Sequence, residues 1–358
     1  MIEELEVASP LMQREQQREQ WKEDVAPYRR TNLALSWWQI VNTLVPFFLT
    51  WYLMYSALSV SYWLTLALAP LAAGCYIRTF IIFHDCTHGS FFKSAWANQL
   101  LGLILGVLCL TPFYQWRHSH AIHHAGSGNL DKRITGQVLP MTIKKYMLTN
   151  GNILTLTVKE YQQFSAWQRL VYRFYRHPAV LFLIMPVLLF LVIYRFAPAG
   201  SGKKERLSVY GTNLAIVLIA LPVILMVGLG PFLLVEVPIV IMACSGAVWL
   251  FYVQHQYEHS YWESKREWNF VKAALHGSSY YRLPRVLQWF TGNIGFHHIH
   301  HLSPRIPNYY LEKCHRASLL FQKTRPLTLW SGLRAIFANL WDEEQQKMVR
   351  FSQCKVRD

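Results

Sequence analysis

The stretch YWLTLALAPLAAGCYIRTFIIF, residues 62–83, runs without a break into HDCTH, residues 84–88. The first part is an apolar run long enough to cross a hydrocarbon layer, for which about 20 residues are needed. The second part places His84 and His88 four residues apart, the spacing that brings two side chains onto one face of a helix. A matching apolar run covers 37–58. The few residues between the two runs predict a transmembrane hairpin that returns the chain to its starting side just before His84.

Two further histidine clusters carry the same helical spacing: HAIHH, with His120, His123 and His124, and HHIHH, with His297, His300 and His301. The chain holds 15 histidines in 358 residues. At that frequency an H-x-x-H-H pattern is expected by chance roughly 0.03 times in such a chain, so two copies are not an accident of composition.

The composition places these clusters at a membrane. Hydrophobic residues make up 53% and aromatics 15%, and the apolar residues are gathered into long runs rather than dispersed. The net charge of +15 does not point to nucleic acid, because Lys and Arg are thinly spread and accompany no nucleic-acid motif. The basic excess lies at 93–176 and 265–350, beside the histidines, as expected of cytoplasmic parts of a membrane protein. Residues 1–36 open on acidic residues with no apolar signal core following directly, which reads as a retained cytoplasmic tail. The six cysteines form no C-x-x-C pair, so neither a disulfide framework nor a zinc ribbon is indicated. Cys86, inside the first cluster, reads as a small packed thiol.

The run 100–113 is short for a span and lies between two clusters that must meet if they share metals, so a re-entrant or interfacial helix is expected. Gly102 and Gly106 within it read as ordinary close packing. Later runs cover 180–196, 214–227 and 232–253. Three crossings there would put His255 opposite His124, so one of the three is not an ordinary span. The turn at 228–231, with Lys203, Lys204 and Arg206 before it, favours the last two runs as a second hairpin, with 180–196 dipping in and returning. The alternative makes 180–196 a true span and one later run interfacial. Glu236 is expected near the interface. The expectation is therefore an all-α integral membrane protein, with tail 1–36 followed by a single domain over 37–358. At least four transmembrane helices lie in two hairpins, 37–83 and 214–253, with interfacial or re-entrant helices beside them. A helical cytoplasmic cap, 84–177 and 254–350, carries the histidines.

Neutral imidazole is a ligand for iron, zinc, copper and nickel, and each free ring nitrogen needs an acceptor to fix its orientation. Eight clustered histidines are too many for one centre. Two metals, each with about four nitrogen ligands and open positions for oxygen, would use them all, and a redox-active metal suits this better than structural zinc. A dinuclear iron site is the natural inference. At the end of membrane helices it would meet a long apolar substrate from the bilayer, which suits oxidation of unactivated C–H bonds.

HDCTH, HAIHH and GFHHIHHLSPRIPNY resemble the three histidine boxes of the integral-membrane fatty acid desaturases, over roughly residues 30–320. The spacing of the first box, together with HDCTHGSFF, SGNLDKR and FYVQHQYE, resembles the acyl-lipid group of Δ12 and bacterial Δ5 type. The resemblance implies four or more transmembrane helices, a non-haem centre of two iron ions, molecular oxygen as co-substrate and an external electron donor. It also implies a ninth histidine ligand, at a Q-H position matched by His255. The implied metal set is His84, His88, His120, His123, His124, His255, His297, His300 and His301, acting catalytically through the metals, with Asp85 as an acceptor behind a ligand imidazole. His259 is left out of the set. His118 and His298 are expected behind the ligands or facing solvent, and His177, His276 and His315 at polar surfaces or interfaces.

No H-P-G-G haem signature is present, so electrons are expected from a separate ferredoxin or cytochrome b5. The implied reaction places a cis double bond in a lipid-linked fatty acyl chain, in a bacterial cytoplasmic membrane with the boxes facing the cytoplasm. The alternative is a diiron hydroxylase or ketolase acting on a carotenoid, alkane or sphingolipid. A metal transporter would instead distribute its ligands through the membrane.

Overall fold

The computed structural model describes residues 20–133 and 152–354. The first hairpin consists of α1, Leu33–Ala57, and α2, Tyr62–His88. Each helix starts on a side-chain cap. Asn32 accepts from the Leu35 amide at 3.0 Å, and Ser61 accepts from the Trp63 amide at 3.2 Å. Such caps satisfy amides that have no partner inside the helix.

α2 is the central helix. Its apolar stretch is 56% buried within the protein, against 28% for α1. Ala69, Ala72, Ala73 and Gly74 explain this, because small side chains let neighbouring helices approach closely. A Cβ at Gly74 would stand 2.6 Å from the Phe290 ring.

Helices α3, Ala95–Leu108, and α4, Phe113–Gly126, are bent by 101° at the break between them. The turn holds Leu110 at φ 53°, and the G-x-x-x-G packs against this same turn. A Cβ at Gly102 would meet Phe113 at 2.2 Å, and one at Gly106 would meet the Thr111 carbonyl oxygen at 2.6 Å. The glycines thus serve a contact inside the fold.

After α5, Ala166–Tyr175, the chain bends by 53° into an irregular segment, a π-helical turn at Val180–Ile184 followed by α6, Met185–Leu191. Its end is tied down by Arg195, which donates to Asn213 at 3.0 Å and to the Leu110 carbonyl. It is therefore a broken element rather than a straight crossing.

The second hairpin is α7, Lys203–Val227, and α8, Leu229–His255, joined at Gly228 with φ +88°. α7 begins well before the apolar run at 214, and only 11% of its apolar window is buried within the protein. Leu214, Val217, Leu218, Leu221 and Leu225 project outward from it, as suits a lipid-facing helix. In all, four helices among the described residues are long and apolar enough to cross a membrane, or six elements if each bent pair is one span. The fold is that of an all-α integral membrane protein.

At one end of the helices lies a cap of α9, Phe270–Gly277, α10, His297–Leu302, α11, Asn308–Ala317, and α12, Leu329–Ala335. Short strands not anticipated from sequence lace it together. Leu156–Thr157 pairs in parallel with Leu340–Asp342, which pairs antiparallel with Lys347–Val349. The buried Arg176 donates to the carbonyls of Leu154 and Ala338 and to the Tyr252 hydroxyl, so one guanidinium joins three parts of the chain.

Candidate metal centre

α2 does not stop at its last apolar residue. The helix continues through HDCTH and ends at Gly89, whose φ of +66° is the left-handed conformation favoured at a helix end. The last two turns therefore carry His84 and His88 on one face. α4 supplies His120, His123 and His124, the last residue of α8 is His255, and α10 supplies His297, His300 and His301.

The structure brings all nine together in two groups, His84, His88, His120, His124 and His300 in one and His123, His255, His297 and His301 in the other. Within each group the ligand atoms lie within 4.8 Å of one another. Helical geometry explains the division. Residues four apart stack on one face, so His120 and His124 join one group, while His123, turned around the helix, reaches the other. α10 repeats the pattern in reverse, with His297 and His301 in the second group and His300 in the first.

Distances within the first group test whether a cation fits. The Nε2 of His120 lies 3.1 Å from the Nε2 atoms of both His84 and His124, and the Nε2 of His124 lies 3.0 Å from that of His300. A neutral imidazole Nε2 offers one lone pair or one N–H along a single direction, so it cannot satisfy two such neighbours. A shared cation at about 2.0–2.1 Å from each nitrogen satisfies all of them, with perpendicular ligand pairs about 3 Å apart. The buried Nε2 of His88 has no hydrogen-bond partner among the described residues and belongs to the same group. In the second group Nε2 atoms face each other at 3.2 Å, His123 to His301, and 3.0 Å, His255 to His297. The residues present fit two metal ions.

Burial, more than the neighbouring imidazoles, holds His297, His300 and His301 well below the usual histidine range. The rings are therefore neutral near pH 7, the form that binds a metal.

Contacts behind the rings set their orientation. The His255 Nδ1 faces the Gly277 carbonyl at 3.2 Å and the Ser127 hydroxyl at 3.4 Å. The His123 Nδ1 contacts the Asn152 side-chain oxygen. Trp116 stacks on His120, ring centroids 4.2 Å apart. Asp85 lies 3.3 Å from the His84 Nδ1, but its shorter bonds come from Asn308, whose backbone and side-chain nitrogens donate to it at 2.7 and 2.9 Å. Gln39 of α1 bonds Asn308 in turn. None of Asn152, Gly277, Asn308 or Gln39 is marked by spacing, whereas Trp116 lies four residues before His120 on the same helix and could have been placed on its face. Of those four, Asn308 alone had a signal in the sequence, within the SPRIPNY stretch.

Of the other histidines, His118, His177, His259 and His276 are exposed. His298 is fully buried but points away from both groups, with its Nε2 3.3 Å from the Nδ1 of His315. His315 is thus buried inside the cap rather than placed at a polar surface. Glu236 accepts from the Trp51 indole at 2.7 Å and the Tyr55 hydroxyl at 3.3 Å, pinning α8 to α1.

Residues 61–332 match the fatty acid desaturase family. Among curated proteins, the chain is 46% identical to a fatty acid desaturase of Bacillus subtilis (strain 168), covering 94% of this chain and 91% of that one. It is 26% identical to the temperature-sensitive sn-2 acyl-lipid omega-3 desaturase (ferredoxin), chloroplastic, of Arabidopsis thaliana, covering 72% of this chain and 57% of the plant protein. It is also 26% identical to the acyl-lipid omega-3 desaturase (cytochrome b5), endoplasmic reticulum, of the same plant, covering 67% and 59%.

Proposed function

This chain belongs to the fatty acid desaturase family, and on that premise we propose that it introduces a cis double bond into a lipid-linked fatty acyl chain at a non-haem diiron centre held by the nine histidines. One iron is assigned to His84, His88, His120, His124 and His300, and the other to His123, His255, His297 and His301. The observation that supports this most is the convergence of Nε2 atoms that cannot satisfy one another by hydrogen bonds.

Iron is preferred over zinc because a desaturase, as an oxidoreductase, needs redox chemistry, which zinc lacks. When bound, an iron pair supplies the means to use O₂ and two donor electrons to remove two hydrogens from adjacent methylenes, with release of water.

The chain's own residues do the positioning. Neutral imidazoles on four different helices leave the ligand shell without charged side chains, and α2 and α8 reach it directly from the apolar layer, so an acyl chain approaches from the bilayer. Trp116 and Phe251 pack on His120 and His123 and limit access of bulk water. Asp85 and Asn308 fix the end of α2 against the start of α11, so His84 and His300 keep their spacing.

The remaining assignments follow the relatives. The electron donor is a separate ferredoxin or cytochrome b5, as the names of the two plant proteins indicate for those proteins. The protein works in a bacterial cytoplasmic membrane with the histidines on the cytoplasmic side, where the tail 1–36 and the cap segments 84–177 and 254–350 of the single domain 37–358 also lie; residues 1–19 and 134–151 of these are outside the described residues.

The test is to express the chain and its His120→Ala variant in a host lacking polyunsaturated lipids, and to locate double bonds in total fatty acids by gas chromatography with mass spectrometry after derivatisation. A new unsaturated chain only with the intact protein supports the reading. Oxygenated products would indicate a hydroxylase or ketolase instead.

A further inference from the structure

Behind the second histidine group lies a groove of ≈ 810 Å³ in the cap, lined among others by Arg325, Arg334 and Arg350. All three arginines are exposed. None forms an ion pair with a carboxylate among the described residues, and Glu258 is the one acidic side chain of the lining. The Arg334 and Arg350 guanidinium groups instead lie over Trp330 and Phe337, each 5.3 Å from the ring centre. Both rings are more than half exposed. Arginines backed by aromatic rings are enriched at protein interfaces, and an uncompensated cluster of them attracts an acidic partner.

The lining of the groove lies close behind one proposed ligand. His276 and Ser279 line it, and between them Gly277 turns its carbonyl onto the Nδ1 of His255 at 3.2 Å. The Ser279 amide donates to the Gln254 carbonyl at 2.9 Å, fixing the same strip against the end of α8. The Nε2 of His255 faces His297 inside the second group. A short stretch of backbone and one hydrogen bond therefore separate the groove lining from a ligand ring.

We propose that this groove docks the electron donor, an acidic one-electron carrier protein, and that electrons enter through the Gly277–Ser278 peptide and the His255 ring. The inference rests on the diiron reading above. A lipid headgroup is the other anion a basic groove could hold. It fits less well, because the groove lies on the Nδ1 side of His255, and an acyl chain leaving it would meet the back of a ligand ring. An electron has no such obstacle.

The test uses the full chain in phosphatidylcholine nanodiscs, with an acidic [2Fe–2S] ferredoxin as probe. Titration calorimetry at low salt compares the parent protein with Arg325→Glu/Arg334→Glu/Arg350→Glu, and with a control, Lys203→Glu/Lys204→Glu/Arg206→Glu, at the start of α7 outside the groove. The groove variant is expected to bind ferredoxin about tenfold or more weakly with a flatter salt dependence, while the control changes about twofold or less. Reduction by dithionite, a small donor that needs no docking, is expected to be the same in all three. If the triple reversal fails to fold, the set Arg325→Gln/Arg334→Gln/Arg350→Gln is read in its place.

Unchanged ferredoxin binding in the groove variant, or equal weakening in both variants, overturns the proposal. So does a loss of phosphatidylglycerol retention by the groove variant, measured in a second set of nanodiscs doped with that lipid, with ferredoxin binding intact, which would assign the groove to a headgroup. Failure of dithionite to support desaturation by the parent would count against the diiron reading itself, whatever the binding data.

Discussion

The carboxylate of Asp85 and the amide of Asn308 are joined across 223 residues of sequence by two hydrogen bonds, from the Asn308 backbone nitrogen at 2.7 Å and from its side chain at 2.9 Å. One acidic side chain, adjacent to a proposed ligand, thereby fixes the first histidine box to the segment that follows the third. Asp85 is 1% exposed, and a buried carboxylate needs such donors.

Asp85→Ala removes both bonds and leaves two Asn308 donors buried. The expected cost is about 1–3 kcal/mol in folding stability and about 10–100-fold in metal affinity, read by thermal unfolding in detergent and by chelator competition. Asp85→Asn keeps the shape and should lose less. Equal metal affinity in all three proteins would show that the link is not needed to hold the site.

Gly102→Ala tests the bent pair. The new methyl would overlap the Phe113 ring at 2.2 Å, and relieving it shifts the start of α4, which carries three proposed ligands. A loss of about 1–3 kcal/mol is expected, measured as a lower unfolding temperature, and Gly102→Ala/Phe113→Leu should recover part of it because the two sites touch.

Acidification should release the metals. Burial holds His297, His300 and His301 below their ordinary value of 6.5 in the folded protein. Between those depressed values and 6.5 the unfolded chain binds more protons than the folded one, so stability rises with pH across that window. The stabilisation is complete above about pH 6.5 and is lost as the pH falls below it, and metal binding, which needs neutral imidazole, follows the same direction. Bound iron measured after equilibration from pH 8 to pH 5 is expected to fall on the acid side. Retention of all iron at pH 5 would contradict the expectation.

The three boxes and the two hairpins were legible in the sequence because hydropathy runs and histidine spacing are local signals. The end of α2 was less so. Apolar residues stop at Phe83, but the backbone hydrogen bonding of a helix does not depend on hydropathy, and Gly89 rather than the last apolar residue ends the helix at His88. The same holds for α7, which begins at Lys203 and carries charged residues on its first turns. The division of the histidines between two groups depends on how α4 and α10 are rotated against α2 and α8. Spacing alone states that His120 and His124 share a face, not which other ring they meet. Asn152 and Gly277 reach the site through tertiary contacts, and His298 shows the converse case. It stands between two proposed ligands in sequence, yet its ring turns to His315 on the other side of α10.

The proposed desaturation depends on two iron ions, one in each histidine group. The most direct measurement is the iron content per chain, by inductively coupled plasma mass spectrometry, of the full-length protein from iron-supplied cells beside its His88→Ala and His297→Ala variants, one from each group. About two irons per chain in the parent, with a reduced content in both variants, is the expected result. A folded parent holding one metal or none, or either variant keeping the full complement, would contradict it.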